Sequence, residues 1–216
     1  MKKALITGAS RGIGRTIAED LGKDHHIYAG ASKDASDIVA ALPSAEPFEV
    51  DLTDTDAILE AASNIEELDV LVLAAGVMDG GPLEELTDDK WREMMEVNLF
   101  APVTLTRALL PALRRSSGLI ITINSGAGFH GMAENSAYCA SKFALRGFTE
   151  SLAQEEAGKV RVTSLHPGRT DTDMLAGDNG RPKMHATEVA KAARLAVDAG
   201  PDAVVEFLRV RPALTS

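Results

Sequence analysis

The sequence is poor in several features that mark whole classes of protein. It has 1 cysteine, Cys139, in 216 residues, which excludes an internal disulfide framework and a zinc site built from several cysteines. No apolar run reaches the roughly 18 residues of a membrane span, so no membrane partner is expected. The apolar run after the first lysines is short, which favours a first strand over a signal peptide. These absences predict a reducing, cytoplasmic setting.

Positive charge is scarce as well. The chain has 22 Lys and Arg residues against 32 Asp and Glu residues, for a formal net charge of −10. Such a chain repels phosphate backbones overall, so nucleic acid is not an expected partner. A local phosphate site is still permitted, because backbone N–H groups contribute more to binding there than the net charge of the whole chain does.

Short apolar runs alternate with longer amphipathic stretches along the whole chain. The runs are 4–7, 26–31, 47–50, 69–75, 118–124, 160–166 and 203–210, and several are apolar at nearly every position, as in strands buried on both faces of a parallel sheet. Helical periodicity is found in 12–22, from Thr87 to about Arg115, in 138–157, and in 187–199 before Gly200 and Pro201. The alternation predicts an α/β, Rossmann-like, doubly wound sheet in a single domain, residues 1–216.

The first predicted turn has the pattern of a phosphate cradle. The stretch "TGASRGIG" (7–14) follows the first run and opens the first predicted helix. Glycines at such a turn let the backbone approach a pyrophosphate, and the positive end of the helix adds to the attraction. A glycine-rich turn without a ligand is the alternative interpretation. The residues expected to bind are Gly8, Ser10, Arg11, Gly12, Ile13 and Gly14.

Tyr138 and Lys142 lie 4 positions apart in "SAYCASKFAL" (136–145), one helical turn. A free tyrosine has a pKa of about 10, so acid–base chemistry at neutral pH requires that its phenolate be favoured by about 4 kcal/mol. An ammonium at about 4 Å supplies that much only at an intermediate dielectric. The pair is therefore an acid–base unit only in a partly desolvated pocket, and otherwise an exposed helix face.

Two polar residues elsewhere are candidates for the same site. Ser125 lies 13 residues before the tyrosine, at the end of "GLIITINSGAG" (118–128), where a predicted strand meets a loop. Its hydroxyl either holds a substrate oxygen or satisfies local backbone groups. Asn98, in "MEVNLF" (95–100), falls inside a predicted long helix, where asparagine is not a preferred residue. By itself it is interpreted as a hydrogen-bonding core residue.

Together these segments resemble the short-chain dehydrogenase/reductase family, in its compact single-domain branch. The resemblance includes, in order, "TGASRGIG", "DLTD" (51–54), "LVLAAGV" (71–77), "MEVNLF", "ITINSGAG", "YCASK" and "HPGRTDTDM" (166–174). It implies a seven-stranded parallel sheet with the active site at the carboxyl ends of the strands. It also implies an oxidoreductase that interconverts a small-molecule carbonyl and its alcohol by hydride transfer from or to a nicotinamide cofactor.

The resemblance implies a role for each candidate. Tyr138 is the implied general acid–base, Ser125 orients the substrate oxygen, and Lys142 supports the phenolate and binds the nicotinamide ribose. Asn98 is implied to hold a water that connects the lysine to a proton relay. The other implied cofactor contacts are Asp51, Leu52, Ala75, Gly76, Pro167, Gly168, Thr170 and Thr172, with Asp51 accepting from the adenine amino group.

Three stretches depart from the family pattern. Leu73 and Ala74 stand where the family has an asparagine that steadies the central sheet, so reduced local rigidity is expected. Asn124 precedes the candidate serine where the family has a second serine. The glycine-containing segment 173–187 is short, so the usual substrate lid is expected to be reduced.

The second predicted strand indicates which cofactor is bound. It ends in "AGASKD" (29–34), without a carboxylate at positions 31–33 for a ribose 2′-hydroxyl. Arg11 and Ser32 can donate to a 2′-phosphate and Lys33 adds charge, which favours NADP(H). The alternative is that Arg11 and Lys33 are only solvated surface charges. Asp34 keeps NAD open, because it follows the glycines by about 20 residues, although we interpret it as the start of the next helix.

The remaining expectations concern metals, subunits and an alternative function. The 5 histidines share no ligand spacing, so no metal is expected. In the family, helices matching 87–115 and 138–157 pack across a two-fold axis, which implies a homodimer or homotetramer, with Trp91 as an interface or core anchor. The alternative function is a non-catalytic, NADP-binding regulator that senses redox state on the same fold.

Overall fold

Seven strands form one parallel sheet in the computed structural model, which describes residues 1–176, 181–200 and 202–213. The strands are β1 (Lys2–Ile6), β2 (His25–Ala31), β3 (Ala45–Glu49), β4 (Val70–Leu73), β5 (Leu119–Ile123), β6 (Arg161–Pro167) and β7 (Phe207–Val210). Their order across the sheet is β3-β2-β1-β4-β5-β6-β7, and every neighbouring pair is parallel. The predicted fold class is confirmed, and the N-terminal run is a strand.

Seven α-helices connect the strands in the part of the chain that the structure describes. They are α1 (Gly12–Leu21), α2 (Ser36–Ala41), α3 (Thr55–Ser63), α4 (Asp88–Met95), α5 (Ala101–Ser116), α6 (Ser136–Glu155) and α7 (Ala186–Val197). Parallel neighbours require such crossovers, because the chain must return to the same end of the sheet before each new strand. None of these helices, as far as the described residues extend, is long and apolar enough to cross a membrane.

The core lies on both faces of the central strands. Every residue of β4 and of β5 is buried, which explains why these runs are apolar at nearly every position. One face packs against α1 and α7, and the other against α3 and α5. The edge strands β3 and β7 are only partly buried, and Pro47 is tolerated in β3 because an edge strand needs fewer ladder donors.

The predicted helix from Thr87 to about Arg115 is interrupted in the structure. A π-helical turn, Glu96–Phe100, separates α4 from α5. Pro102 has no backbone N–H, so it cannot donate to the carbonyl of Asn98 four residues earlier. Wider turns of this kind are frequent at functional sites. Asn98, at the centre of the turn, is fully buried.

The segment after β6 covers part of the sheet's carboxyl edge. It includes a short 3₁₀ turn, Asp173–Leu175, and a bridge between Thr170 and Met184. Residues 177–180, which contain the two glycines of the predicted reduced lid, lie outside the described residues, as does Pro201 after α7. The length of a lid therefore stays a prediction.

Candidate active site

The four candidate catalytic residues meet at the carboxyl ends of β4 and β5. A β-carbon placed on Gly76, just after β4, would lie 3.1 Å from Asn98 Oδ1 and 3.8 Å from Lys142 Nζ. On the same helix, Lys142 Nζ lies 5.8 Å from the centre of the Tyr138 ring. The Ser125 side chain is near enough to the Tyr138 phenol to act on its pKa, which it lowers. Residues from four separate segments of the sequence thus share one site.

Ser125 is held by short hydrogen bonds at the end of β5. Its Oγ accepts from the backbone N–H of Ala127 at 3.1 Å, and its own N–H donates to Asn124 Oδ1 at 2.9 Å. The following residues Gly126–Gly128 form a 3₁₀ turn. A β-carbon on Gly128 would lie 2.8 Å from Asn124 Oδ1, so the asparagine fills the space that a side chain there would need.

The Tyr138 phenol is nearly buried, with 7% of its surface exposed. Burial raises its pKa above the ordinary value of 10.0, while the Ser125 side chain acts to lower it. The acid–base reasoning from sequence requires the opposite direction. The protein surroundings of Tyr138 therefore keep the phenol protonated at neutral pH, and a phenolate at this position would need a compensating positive charge.

Lys142 is a buried cation, with 4% of its surface exposed. Its Nζ donates to the carbonyl oxygen of Ile123, the last residue of β5, at 3.1 Å. Burial lowers the pKa of this lysine to about 8. The charge is therefore present at neutral pH, and it is lost at lower pH than that of an exposed lysine.

Asn98 connects the segment after β4 with α6. Its Oδ1 accepts from the N–H of Val77 at 2.9 Å, and its Nδ2 donates to the carbonyl of Val77 at 2.9 Å and to Ser141 Oγ at 3.0 Å. Ser141 Oγ in turn donates to the carbonyl of Tyr138 at 2.8 Å. The buried amide thus fixes the position of the tyrosine-bearing turn. Its implied water-holding role stays a prediction.

The glycine turn after β1 has the close approaches that a dinucleotide cradle requires. Gly8 has φ +67, and a β-carbon there would lie 3.0 Å from Cα of Ala75. A β-carbon on Gly14 would overlap the carbonyl oxygen of Gly8. Gly12 has φ +57 and is the first residue of α1. The turn therefore presents bare backbone and a helix N-terminus, which fit the pyrophosphate of a nicotinamide dinucleotide.

Thr7 restrains the stretch in which the family's asparagine is missing. Its Oγ1 accepts from the N–H groups of Ala74 and Ala75, each at 3.0 Å. The side chain is 4% exposed. The expected loss of rigidity at Leu73 and Ala74 is thus offset by a hydroxyl on the neighbouring strand's end, and Ala75 remains in place beside the glycine turn.

The residues expected to contact the adenosine half lie at the ends of β2 and β3 and on the turn after β1. Arg11 and Lys33 are exposed, and Arg11 Nη1 lies 4.0 Å from the carboxylate of Asp173. Asp51 Oδ1 accepts from both the N–H and the Oγ1 of Thr53, at 2.9 and 2.7 Å. The hydrogen bond from that N–H is the largest cause that lowers the pKa of Asp51, and the charge of Lys33 acts in the same direction.

Asp34 lies just before the next helix. Its Oδ1 accepts from the N–H of Ser36, the first residue of α2, at 2.8 Å. Helix α2 begins at Ser36 with Ala35 as its N-cap, so Asp34 lies two residues before the helix rather than starting it. Ser32, at the end of β2, is exposed and has no carboxylate beside it in positions 31–33.

The segment after β6 reaches the glycine turn. The N–H of Gly168 donates to the carbonyl of Val210 at 2.6 Å, and Thr170 is 3% exposed. A β-carbon on Gly12 would lie 3.4 Å from Cγ2 of Thr172. Pro167–Thr172 therefore borders the predicted cofactor cleft, although the contacts of these residues with a cofactor stay predictions.

Sequence reasoning missed three residues that support the site. Thr7, Ser141 and His166 each hold the backbone of a candidate residue or its neighbour. The signal was partial, since Ser141 lies one turn from Tyr138 and His166 opens the "HPG" segment. No three metal-ligating side chains cluster anywhere in 1–176, 181–200 or 202–213.

Comparison with known proteins places this geometry in a family. A sequence profile described as short chain dehydrogenase matches residues 2–182. An uncharacterized oxidoreductase of Staphylococcus saprophyticus is 35% identical over 230 aligned positions, which cover 98% of this chain and 97% of that protein.

Two solved structures are also similar over nearly the whole chain. An alcohol dehydrogenase from the archaeon Thermococcus sibiricus, complexed with 5-hydroxy-NADP, has a TM-score of 0.88 and 28% identity over 97% of this chain and 96% of that one. A metagenomic short-chain oxidoreductase in complex with NADP has a TM-score of 0.85 and 35% identity over 99% of this chain and 98% of that one.

Proposed function

The chain belongs to the short-chain dehydrogenase family, and we propose that it is an NADP(H)-dependent oxidoreductase that reversibly reduces a ketone or aldehyde to an alcohol. The observation that carries the proposal is the convergence of the half-buried Ser125 with the buried Tyr138 and Lys142 in one site. A protein that only senses a bound nucleotide does not need a phenol, a hydroxyl and an ammonium in this arrangement.

The preference for NADP(H) is supported by charge at the adenosine end. Arg11, Ser32 and Lys33 are exposed there, and the residue that could serve as a ribose-binding carboxylate, Asp34, is engaged at the start of α2. The similar structures named above were solved with NADP or a derivative of it. We therefore assign Arg11, Ser32 and Lys33 to a 2′-phosphate, with the glycine turn at the pyrophosphate.

Ser125, Tyr138 and Lys142 would each have a separate role in the reduction of a carbonyl. A bound NADPH supplies the hydride. The Ser125 hydroxyl donates to the substrate carbonyl oxygen, and Tyr138 gives that oxygen its phenolic proton as the alcohol forms. Lys142 then stabilises the phenolate, which the burial of Tyr138 would otherwise disfavour. Because its pKa is raised, Tyr138 is protonated at neutral pH and so carries the proton that reduction of the carbonyl requires.

The test is turnover of a panel of ketones, aldehydes and alcohols, followed at the nicotinamide absorbance with each cofactor. We expect several carbonyls to be reduced with NADPH, and more slowly with NADH. If no carbonyl or alcohol in a broad panel turned over while NADPH bound tightly, the redox-sensing alternative would replace this proposal.

We also propose that the protein self-associates through the face that α4, the π turn and α6 present. Phe100 and Phe143 are 51% and 44% exposed there, and a surface cavity of ≈ 360 Å³ is lined in part by Trp91 and Phe100. Light scattering should show at least a dimer, and Phe100→Asp should reduce the mass. Leu195→Asp on α7, which is 57% exposed, is the matched control. A monomeric wild type would refute this assignment.

A further inference from the structure

His166 is a buried, titratable side chain that the proposed chemistry does not use. It lies near the end of β6 and is 1% exposed. Its Nδ1 lies 3.2 Å from the backbone carbonyl oxygen of Ser125, and its Nε2 lies 2.7 Å from Ser164 Oγ. Both ring nitrogens therefore have a defined partner, and one of these partners belongs to the candidate catalytic serine.

The two partners determine the tautomer of the ring. A carbonyl oxygen only accepts, so Nδ1 must carry the proton and donate to Ser125. Nε2 is then the acceptor, and the hydroxyl of Ser164 donates to it. Burial lowers the pKa of His166 to about 4, and the nearby charges of Arg146 and Arg209 act in the same direction. The ring is thus neutral, with its proton at one nitrogen.

Two aromatic rings fix the plane of the imidazole. The centres of the Phe129 and Phe207 rings each lie 4.6 Å from that of His166. Phe129 follows the Gly126–Gly128 turn directly, and the guanidinium of Arg146 lies 4.3 Å from its centre. Arg146 is on α6, one turn after Lys142. The contacts of His166 and Phe129 together therefore join β6, β7, α6 and the loop that begins at Ser125.

We propose that His166 is a positioning residue for Ser125, which it holds through the backbone carbonyl so that the serine hydroxyl stays directed at Tyr138. Asn124 Oδ1 holds the N–H of Ser125 from the other side, and the N–H of Gly128 shares its carbonyl at 3.1 Å. With both backbone groups restrained, Oγ keeps its hydrogen bond with the N–H of Ala127 and stays near the phenol, whose pKa it lowers. This inference rests on the proposed function, because it assumes that Ser125 orients a substrate oxygen.

A positioning role and a packing role of His166 differ in whether the hydrogen bond from Nδ1 to Ser125 is needed. An asparagine at 166 places an amide N–H₂ where Nδ1 is, whereas a glutamine reaches the place of Nε2. His166→Asn therefore keeps a donor for Ser125 and loses ring volume, while His166→Gln keeps more volume and loses that donor. His166→Leu removes both nitrogens at similar volume and serves as a second variant if His166→Gln is unstable.

The experiment compares these three variants with wild type, using any carbonyl reduced in the panel and NADPH. We expect His166→Asn to retain kcat within about 3-fold and His166→Gln and His166→Leu to lose about 10- to 100-fold in kcat, since a displacement of 1 Å can cost about 100-fold. The Kd for NADPH should be unchanged in all three. In a Ser125→Ala background, His166→Gln should cause no further loss.

Three results would overturn the proposal. They are equal losses of kcat in His166→Asn and His166→Gln, losses that follow a weakened affinity for NADPH, or a full additional loss in the Ser125→Ala background. Each would mean that the histidine acts by packing alone. An NMR spectrum of histidine-labelled protein tests the geometry without turnover. The resonance of His166 is identified because it is absent from His166→Asn. This resonance should show a proton on Nδ1 and a neutral ring at pH 5.5. If wild type reduced no carbonyl but this resonance were found, the proposed function alone would fail.

Discussion

The two ends of the cleft differ in how they hold their functional groups. At the catalytic end, Asn98, Tyr138 and Lys142 are buried, and the polar side-chain atoms of Asn98 and Lys142 are bonded to specific partners. At the adenosine end, Arg11, Ser32 and Lys33 are exposed, and the ion pair between Arg11 and Asp173 is a loose contact of 4.0 Å. The first end depends on side chains in fixed places, whereas the second depends on backbone shape and on net charge.

This difference predicts where substitutions have large effects. A buried polar group that loses its partner costs more free energy than an exposed one, because water cannot replace the partner. Exposed cations act over longer distances and are screened by salt. Side-chain changes should therefore be severe at the catalytic end and mild at the adenosine end, while backbone changes should be severe at both.

The largest effect is expected for Tyr138→Phe. This change removes the proton donor and leaves the ring in place, so kcat should fall by more than about 1000-fold, near the upper range for a general acid. The Kd for NADPH, measured by fluorescence, should stay within a few-fold of wild type. Turnover that survived the loss of this hydroxyl would remove the mechanism.

The next effect tests the backbone at the other end. Gly14→Ala forces a β-carbon onto the Gly8 carbonyl, so we expect a loss of about 3 kcal/mol in the free energy of unfolding and no measurable NADPH binding. The matched control is Gly147→Ala in α6, where a β-carbon meets nothing within 4 Å. That variant should gain about 1 kcal/mol by helix propensity. Tight NADPH binding by Gly14→Ala would show that the turn is not the cradle.

The third effect concerns pH. His166 has its pKa lowered to about 4 in the folded chain from 6.5, so the unfolded chain binds the proton more strongly. The neutral, buried ring therefore favours the folded state fully above pH 6.5. Its contribution to the free energy of unfolding is lost as the pH falls toward 4, by about 3 kcal/mol in total. Arg146, Arg209 and Glu150 are the charged groups that act on the ring.

Urea denaturation at pH 7.5 and pH 4 measures this loss. His166→Asn has no group that titrates in this window at position 166, so its free energy of unfolding should fall by about 3 kcal/mol less than that of wild type over the same interval. Parallel decreases in the two proteins would mean that the histidine is not held neutral in the folded state.

The smallest effect is expected at the adenosine end. Arg11→Ala and Lys33→Ala should each raise the Kd for NADPH by up to about 10-fold, as for the loss of one charge-assisted hydrogen bond, and leave that for NADH unchanged. The matched control is Arg15→Ala on α1, because Arg15 is engaged with Glu19 at 2.9 Å. An equal weakening of NADH binding would place these cations elsewhere than at a 2′-phosphate.

Much of the architecture was predictable from the sequence because it depends on local patterns. Apolar runs predicted all seven strands, with most boundaries shifted by one or two residues and the start of β7 by four, where an edge strand is only partly buried. The break in the helix around Asn98 was not predicted. Helical periodicity continues through it, and only the missing donor of Pro102 and the bonds to Val77 reveal it.

The identity of the main residues of the candidate site was also predictable from the sequence. Motif spacing singled out Ser125, Tyr138 and Lys142, and the structure brings them together. The direction in which the pKa of Tyr138 is shifted was not predictable from the motif. That direction depends on how deeply the phenol is buried, not on its distance along the helix from a lysine. Thr7, Ser141 and His166 were missed for the same reason, since their partners are far away in sequence or belong to the backbone.

By itself, the sequence determined the parallel sheet, the glycine turn and the pairing of a tyrosine with a lysine one turn away, since periodicity and residue type act over short stretches. The tertiary structure decided which polar atoms are shielded from water and which partners they meet. Those two properties set the charge state of Tyr138, Lys142 and His166, because desolvation and hydrogen bonding arise only when distant segments pack together.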